Sequence, residues 1–164
     1  MLTQLRASLR YQEPTSSIIP RFKYEGYFAL AEPLADFMIA GWPRWARTPD
    51  LIQPIPLHPS RRRQRGYNQA ELLARPLGLA TGGPVDATSL RRIRPTIPQV
   101  GLGPDERRDN VRGAFQVDSA AVDGRHILLI DDVLTTGATM SAAAEALLAA
   151  GASSVAAYCL ARVN

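Results

Sequence analysis

The stretch Ile127-Leu128-Leu129-Ile130-Asp131-Asp132-Val133-Leu134-Thr135-Thr136-Gly137-Ala138-Thr139 decides the fold of this 164-residue chain. The apolar run from His126 to Ile130 is typical of a strand buried on both faces of a sheet. Two carboxylates stand at the carboxyl end of this strand, and a hydroxyl-rich turn then opens a helix predicted over 139–150. Open α/β sheets bind their ligands beyond the carboxyl ends of the strands, so the stretch predicts a ligand site there.

The side chains of this stretch suit a phosphorylated sugar. A helix N-terminus offers unpaired backbone N–H groups and a partial positive charge, and both favour a phosphate monoester. In the turn from Thr135 to Thr139, Gly137 lets the backbone approach the phosphate closely and the threonines donate hydroxyl hydrogen bonds. Ionised Asp131 and Asp132 only accept hydrogen bonds, so they suit sugar hydroxyls or a hydrated Mg²⁺.

Strands and helices are predicted to alternate over the rest of the chain. The patterns indicate strands over 50–56, 85–90 and 154–160 and helices over 27–40 and 67–77, with Pro33 kinking or dividing the first helix. This alternation predicts an α/β fold with an open, mainly parallel sheet and helices on both faces. Residues 94–108 hold three prolines and two glycines, and we expect a long binding loop there.

Composition indicates one globular domain over residues 1–164. Hydrophobic residues make up 46% of the chain, which is enough to close a single core. The only cysteine, Cys159, excludes a disulfide framework and a multi-cysteine zinc site. No apolar run is long enough to span a membrane and no secretory signal is visible, so we expect a cytoplasmic protein without membrane insertion. Residues 1–20 are the least patterned and are predicted to form a mobile arm.

Positive charge is concentrated in the middle third of the sequence. Between His58 and Arg112 there are eleven arginines and five acidic residues, whereas the whole chain has a net charge of only +4. This clustering implies a polyanionic partner, either a phosphorylated small molecule or a nucleic acid. Few aromatic residues accompany these arginines along the sequence, and single-stranded nucleic acids usually bind where bases stack on aromatic rings.

Four stretches of the sequence resemble known families. The stretch 127–139 is similar to the phosphoribosyl diphosphate (PRPP) signature of type I phosphoribosyltransferases. Residues 54–70 (PIPLHPSRRRQRGYNQA), 94–99 and 106–115 resemble the ComF family of competence proteins, which is amidophosphoribosyltransferase-like. The resemblance runs from about Tyr24 to the C-terminus. Many ComF chains begin with a four-cysteine zinc ribbon, and this sequence has no cysteines for one.

The resemblance implies a type I phosphoribosyltransferase-like fold in which residues 1–45 form an N-terminal arm and small hood and residues 46–164 form the core. It implies that Asp131 and Asp132 hold the ribose hydroxyls and Mg²⁺, with water between the carboxylates and the metal. The remaining implied site residues form three loops: Thr135, Thr136, Gly137, Ala138 and Thr139 for the 5-phosphate; Leu57, His58, Pro59, Ser60, Arg61 and Arg65 for the diphosphate; and Thr96, Gln99, Arg107 and Arg108 for a flexible closing loop.

The implied activity is a pentosyl transfer by a phosphoribosyltransferase, a kind of glycosyltransferase. PRPP would bind with Mg²⁺, pass its phosphoribose to an acceptor that the sequence does not identify, and release diphosphate. Arginines such as Arg61, Arg65 or Arg107 would stabilise the departing diphosphate, and a closing loop would exclude water. The alternative is a non-enzymatic module of competence and DNA uptake that binds single-stranded DNA, nucleotides or other competence proteins.

Several other residues have a structural and a functional interpretation. His58 is predicted with equal weight to contact phosphate or to cap a turn. For Trp42 and Trp45, packing of the N-terminal helix against the sheet is favoured over stacking on an acceptor. His126 and Cys159 are expected to be structural, because one begins a buried strand and the other lies within one.

Overall fold

The computed structural model of the chain describes residues 1–45, 47–95 and 110–163. Its strands are β1 (Leu5–Arg10), β2 (Leu51–Pro54), β3 (Leu90–Arg92), β4 (Phe115–Val117), β5 (His126–Leu134) and β6 (Ser154–Arg162). Its helices are α1 (Thr15–Tyr24), α2 (Ala31–Ala40), α3 (Pro59–Arg65), α4 (Gln69–Thr81), α5 (Ser119–Val122) and α6 (Ala138–Ala149). No helix in these ranges is long and apolar enough to cross a membrane.

Four parallel strands form the main sheet in the order β1-β6-β5-β2. Strand β5 lies inside this sheet, where Ile127 pairs with Leu51 on one side and with Val155 on the other. Parallel strands with two neighbours are buried on both faces, which explains the unbroken apolar run of β5. The carboxyl ends of β5 and β2 therefore meet at one edge of the sheet.

Helices cover both faces of this sheet, and each face has its own apolar core. Ile127 and Leu129 of β5 pack on the face covered by α6, whereas Leu128 and Ile130 pack on the face covered by α1, α2 and α4. This alternation follows from the two-residue period of a strand. The predicted fold class, an open parallel α/β sheet with helices on both faces, is confirmed.

The hairpin formed by β3 and β4 is separate from the main sheet. Its strands are antiparallel, and Leu90 pairs with Val117 while Arg92 pairs with Phe115. The segment that joins the two strands contains the predicted flexible loop. Its four candidate residues, Thr96, Gln99, Arg107 and Arg108, lie outside the described residues, so their roles stay predictions.

The first residues of the chain differ from the mobile arm that the sequence suggested. Leu5–Arg10 forms β1, an edge strand that pairs in parallel with β6, with Leu5 opposite Ala157. The N–H and C=O groups along the open side of β6 would otherwise be unpaired, and any extended segment can satisfy them. This pairing depends on the backbone, so the weak side-chain pattern of β1 did not reveal it.

The predicted strand over 85–90 is also corrected by the structure. Val85 makes only an isolated bridge to Ile52, and β3 begins at Leu90. Between them, the carboxylate of Asp86 accepts hydrogen bonds from the backbone N–H groups of Thr88 (2.7 Å) and Ser89 (3.2 Å). An aspartate that binds the backbone two residues ahead forms a turn, and this turn interrupts the extended chain.

The predicted helix over 27–40 is in two pieces, but the break falls before Ala31 and not at Pro33. A short 3₁₀ turn, Phe28–Leu30, is followed by α2, which places Pro33 in its first turn. At that position the missing N–H of proline costs no helical hydrogen bond. The predicted helix over 67–77 is observed as α4, Gln69–Thr81.

Candidate active site

The two neighbouring acids of β5 point to opposite faces of the sheet. Because the strand continues to Leu134, Asp131 and Asp132 follow its alternation. Asp131 is partly buried and lines a pocket at the carboxyl end of β5. Asp132 is only 2% exposed and lies on the face covered by α1. The family resemblance implied that both acids hold the ribose, but only Asp131 lines the pocket.

The predicted phosphate turn lines the same pocket as Asp131. Thr135, Gly137, Ala138 and Thr139 contribute to its wall. Gly137 adopts a left-handed conformation (φ 77°) and stands at the N-cap of α6, where it has no side chain to occupy the helix N-terminus. Thr136 is exposed beside the pocket, and its hydroxyl accepts a hydrogen bond from the N–H of Ala138 at 3.4 Å. The turn thus presents backbone N–H groups and hydroxyls on the side that Asp131 faces.

The environment of Asp131 raises its pKa into the neutral range, where the carboxyl is partly ionised. Burial raises the pKa of Asp131, the neighbouring Asp132 raises it further, and together they bring it to about 7. The positive charges of Lys23 and Arg92 act in the opposite direction, as does the N–H of Asp132, which donates to Oδ1 of Asp131 at 2.9 Å. An acid with a pKa near neutrality at a pocket is a feature of functional sites.

Lys23 is a site residue that the sequence reasoning missed. It projects from α1, and its Nζ lies 3.0 Å from Oδ1 of Asp132, with side-chain exposures of 22% and 3%. The same oxygen accepts a hydrogen bond from the backbone N–H of Val133 at 2.6 Å. Burial opposes the charge of the Lys23 ammonium, but the carboxylates of Asp132 and Asp131 outweigh it, so the pKa of Lys23 is raised. The only signal in the sequence was that this is the single lysine among 19 basic residues.

Part of the predicted diphosphate loop is helical, because α3 begins at Pro59. His58 is the N-cap of this helix, and its Nδ1 accepts a hydrogen bond from the N–H of Ser60 at 3.3 Å. The capping role of His58 is therefore observed, and its phosphate contact stays a prediction. Leu57 and Arg61 are partly buried on either side of this cap.

Arg65, at the end of α3, contacts two other elements. Its guanidinium donates a hydrogen bond to Oε1 of Gln69. The guanidinium carbon also lies 5.1 Å from the ring centre of Tyr24, whose side chain is 71% exposed. The structure therefore places an aromatic ring from α1 against the arginine-rich helix, although the two are 41 residues apart.

Arg92 is a second candidate that the sequence reasoning did not single out. It lies on β3, and its guanidinium carbon is 5.6 Å from the ring centre of Phe115. Burial lowers the pKa of Arg92, Asp131 acts to raise it, and Arg61 acts to lower it. Arg92 therefore lies within electrostatic range of the pocket acid, and Arg61 lies within range of Arg92, an arrangement that suits an anion.

The residues expected to be structural are packed or hydrogen-bonded in the fold. The rings of Trp42 and Trp45 lie 5.7 and 5.9 Å from that of Tyr158 in edge-to-face contacts. The Nδ1 of His126 is hydrogen-bonded to the Ser154 hydroxyl, and Cys159 is fully buried. Burial raises the pKa of the Cys159 thiol well above its usual range, which makes a nucleophilic role unfavourable.

Comparisons with known proteins agree with this fold. Residues 70–164 match the phosphoribosyl transferase domain family. The chain is 33% identical over 157 residues to the DNA utilization protein YhgH of Salmonella typhimurium, covering 93% of this chain and 69% of that protein. It is 34% identical over 159 residues to competence protein F of Haemophilus influenzae, with the same coverage. It is 30% identical over 164 residues to competence protein ComFC of Bacillus subtilis, covering 99% and 65%.

A solved structure shows the same architecture. The allosteric regulatory enzyme of purine biosynthesis superposes with a TM-score of 0.51 at 21% identity, covering 80% of this chain and 25% of that one. The fold is that of the type I phosphoribosyltransferases, with a parallel sheet flanked by helices. Within that class, the chain belongs to the ComF family of competence and DNA utilization proteins.

Proposed function

We propose that the chain binds PRPP with Mg²⁺ and transfers its phosphoribose to an acceptor, with release of diphosphate. The observation that carries this proposal is that Asp131 and the turn from Thr135 to Thr139 open on one pocket. A phosphate at the N-terminus of α6 would receive backbone N–H and threonine hydroxyl hydrogen bonds. The ribose of the same molecule would then reach Asp131, whose oxygens accept hydrogen bonds from sugar hydroxyls.

The residues at the pocket fit the way in which Mg²⁺ is usually held. This ion keeps several waters and binds one or two carboxylates together with the phosphate oxygens of a ligand. In the described ranges, no group of three or more His, Cys, Asp or Glu side chains could hold a metal ion. Asp131 would hold Mg²⁺ at the pocket, and the ion would neutralise part of the diphosphate charge.

The protein's own groups suit the charge changes of this transfer. When the bond between ribose C1 and diphosphate breaks, the sugar becomes positive and the leaving group carries the electron pair. Arg92 lies in electrostatic range of Asp131, and Arg61 lies in range of Arg92, so both would stabilise the departing diphosphate. An acceptor nitrogen or oxygen would then form the new bond to C1 and lose a proton.

Calorimetric titration with PRPP and Mg²⁺ tests the proposal. We expect wild type to bind and Asp131→Asn to bind at least about tenfold more weakly, since it loses the charged acceptor at the pocket. Asp36→Asn is the matched control, because Asp36 is exposed on α2 outside the pocket. If wild type gives no heat, or if Asp131→Asn binds as well as the control, the proposed site is wrong. A screen for diphosphate release with nucleobases and amines would then search for the acceptor.

A second candidate function is the binding of single-stranded DNA. The contact between exposed Tyr24 and Arg65 supports it, because an aromatic ring beside a cationic helix can stack a base while arginines meet the phosphates. The names of relatives, DNA utilization protein and competence protein, point in the same direction. Few aromatic residues lie near the arginines in the sequence, which argued against this function. In the fold, however, α1 places the ring of Tyr24 beside the arginine-rich helix α3.

Fluorescence anisotropy of a labelled single-stranded oligonucleotide at several salt concentrations tests this second function. We expect affinity that falls steeply with salt and that drops at least about threefold in Tyr24→Ala. Phe37→Ala is the control, since Phe37 is an exposed aromatic on α2. The absence of binding even at low salt, or equal losses in both variants, would refute it.

A further inference from the structure

The ion pair between Lys23 and Asp132 lies beside the proposed ligand pocket but does not line it. We infer that Lys23 is a positioning residue of the proposed transferase. Its ammonium holds Asp132 on the far face of the sheet and balances the charge of that carboxylate, so that Asp131 alone presents a negative charge to the ligand. This inference rests on the proposed function, because it concerns how a strongly anionic ligand approaches two adjacent acids.

The geometry separates the two acids into different environments. Lys23 Nζ and the Val133 N–H both bind Oδ1 of Asp132, at 3.0 and 2.6 Å. The other oxygen, Oδ2, is buried and has no hydrogen bond within residues 1–45, 47–95 and 110–163. Lys23 is therefore the one cationic side chain paired with this carboxylate among the described ion pairs.

The end of α1 is fixed by contacts on each side of Lys23. The backbone carbonyl of Phe22 accepts a hydrogen bond from the hydroxyl of Tyr67, just before α4. The ring of Tyr24 lies against the guanidinium of Arg65 at the end of α3. Three consecutive residues of α1 thus contact α3, the segment between α3 and α4, and β5. These contacts fix the position of the lysine ammonium relative to β5.

A purely structural role does not explain why this pair is ionic. Replacing a buried ion pair by apolar side chains of similar volume is often neutral or stabilising, so packing alone does not require the charges. Their effect on a ligand is different, because PRPP carries phosphate and diphosphate charges that two uncompensated carboxylates would repel. With Lys23 in place, the Asp132 charge is balanced at close range and on the face away from the pocket.

Titration of PRPP and of ribose 5-phosphate, both with Mg²⁺, tests the inference in wild type and in Lys23→Met, Lys23→Arg, Asp132→Asn and Lys23→Met/Asp132→Asn. We expect Lys23→Met to weaken PRPP binding at least about tenfold, and to weaken ribose 5-phosphate binding less, because repulsion grows with ligand charge. Lys23→Arg should stay within about threefold of wild type. Asp132→Asn should bind PRPP at least as tightly as wild type, because it removes a negative charge and keeps the lysine. The PRPP affinity of the double variant should also be within about threefold of wild type, since this variant restores a net charge of zero at the two positions without the lysine.

The outcomes separate this inference from the proposed function. If wild type does not bind PRPP, the proposed function fails and the inference fails with it. If wild type binds but Lys23→Met binds equally well or better, only the inference is overturned. It is also overturned if the double variant still binds PRPP at least about tenfold more weakly than wild type, which would mean that Lys23 contacts the ligand itself. Equal losses of affinity for both ligands in Lys23→Met would overturn it as well, since a loss of structure would produce that result. The double variant decides the matter even if Lys23→Met alone does not fold.

Discussion

Asp131→Asn should change how the stability of the protein depends on pH. In the folded protein, burial and then the neighbouring Asp132 raise the pKa of Asp131 from 3.8 to about 7. Between these two values the folded protein holds a proton that the unfolded chain has released. The stability that this proton confers is fully present below about pH 4 and is lost as the pH rises through about 7. The asparagine amide of the variant does not titrate in this range, so the variant lacks this loss.

The size of the effect follows from the burial of the carboxyl. One group that binds one extra proton gives a slope of at most about 1.4 kcal/mol per pH unit, so the full shift would give about 4 kcal/mol. Asp131 lines an open pocket and is only partly buried, so water screens its charge. We therefore expect a change of about 2 kcal/mol between about pH 4 and about pH 7.5.

Urea unfolding of wild type and Asp131→Asn over this pH range measures the effect. The quantity of interest is the difference between their free energies of unfolding, because titrating groups that do not interact with residue 131 are shared and cancel. Asp86, for example, is present in both proteins; burial acts to raise its pKa, but hydrogen bonds from Ser89 and Thr88 outweigh burial and lower the pKa to about 2. We expect the stability of wild type to fall relative to the variant as the pH rises. A constant difference, or one of opposite sign, would refute the raised pKa of Asp131.

Three further substitutions test local packing and backbone geometry by urea unfolding. Gly78→Ala should destabilise the protein by about 1–3 kcal/mol, because the added Cβ would lie 2.4 Å from Cγ2 of Val85 and 2.8 Å from a backbone oxygen. If the neighbouring atoms can move away, the better helix propensity of alanine would instead stabilise the protein, which would contradict the tight packing. Asn68→Ala should cost about 2 kcal/mol, since its side chain caps α4 and donates to the Ile55 carbonyl at 3.0 Å. Gly137→Ala should destabilise the protein by about 1 kcal/mol through its left-handed backbone alone, because the new Cβ would meet only Leu134, at 3.6 Å. It should also weaken PRPP binding. Unchanged stability would contradict the turn geometry.

The elements predicted correctly from the sequence are those whose signal is local. The strand from His126 and the helix before Gly151 are observed as β5 and α6, because an apolar run and a helical period are properties of neighbouring residues. The turn from Thr135 to Thr139 was likewise readable, since glycine and hydroxyl residues have specific uses at a helix N-terminus.

The parts that the sequence did not predict depend on contacts between distant residues. Strand β1 exists because β6 offers it an open edge, about 150 residues later in the chain. The pair formed by Lys23 and Asp132 joins α1 to β5, and no local spacing relates the two residues. The contact of Tyr24 with Arg65 is of the same kind, and it changed the argument about nucleic-acid binding.

The separation of the two acids was nevertheless within reach of the sequence. The predicted strand ended at Ile130, which left Asp131 and Asp132 at its edge, free to face one ligand together. In the structure the strand continues to Leu134, and a strand must send neighbouring side chains to opposite faces. A variant in which both acids are replaced would therefore mix the loss of a pocket carboxylate with the loss of the Lys23 partner. Only the single substitutions, compared with the Lys23 variants, can assign a change in PRPP binding to one acid or the other.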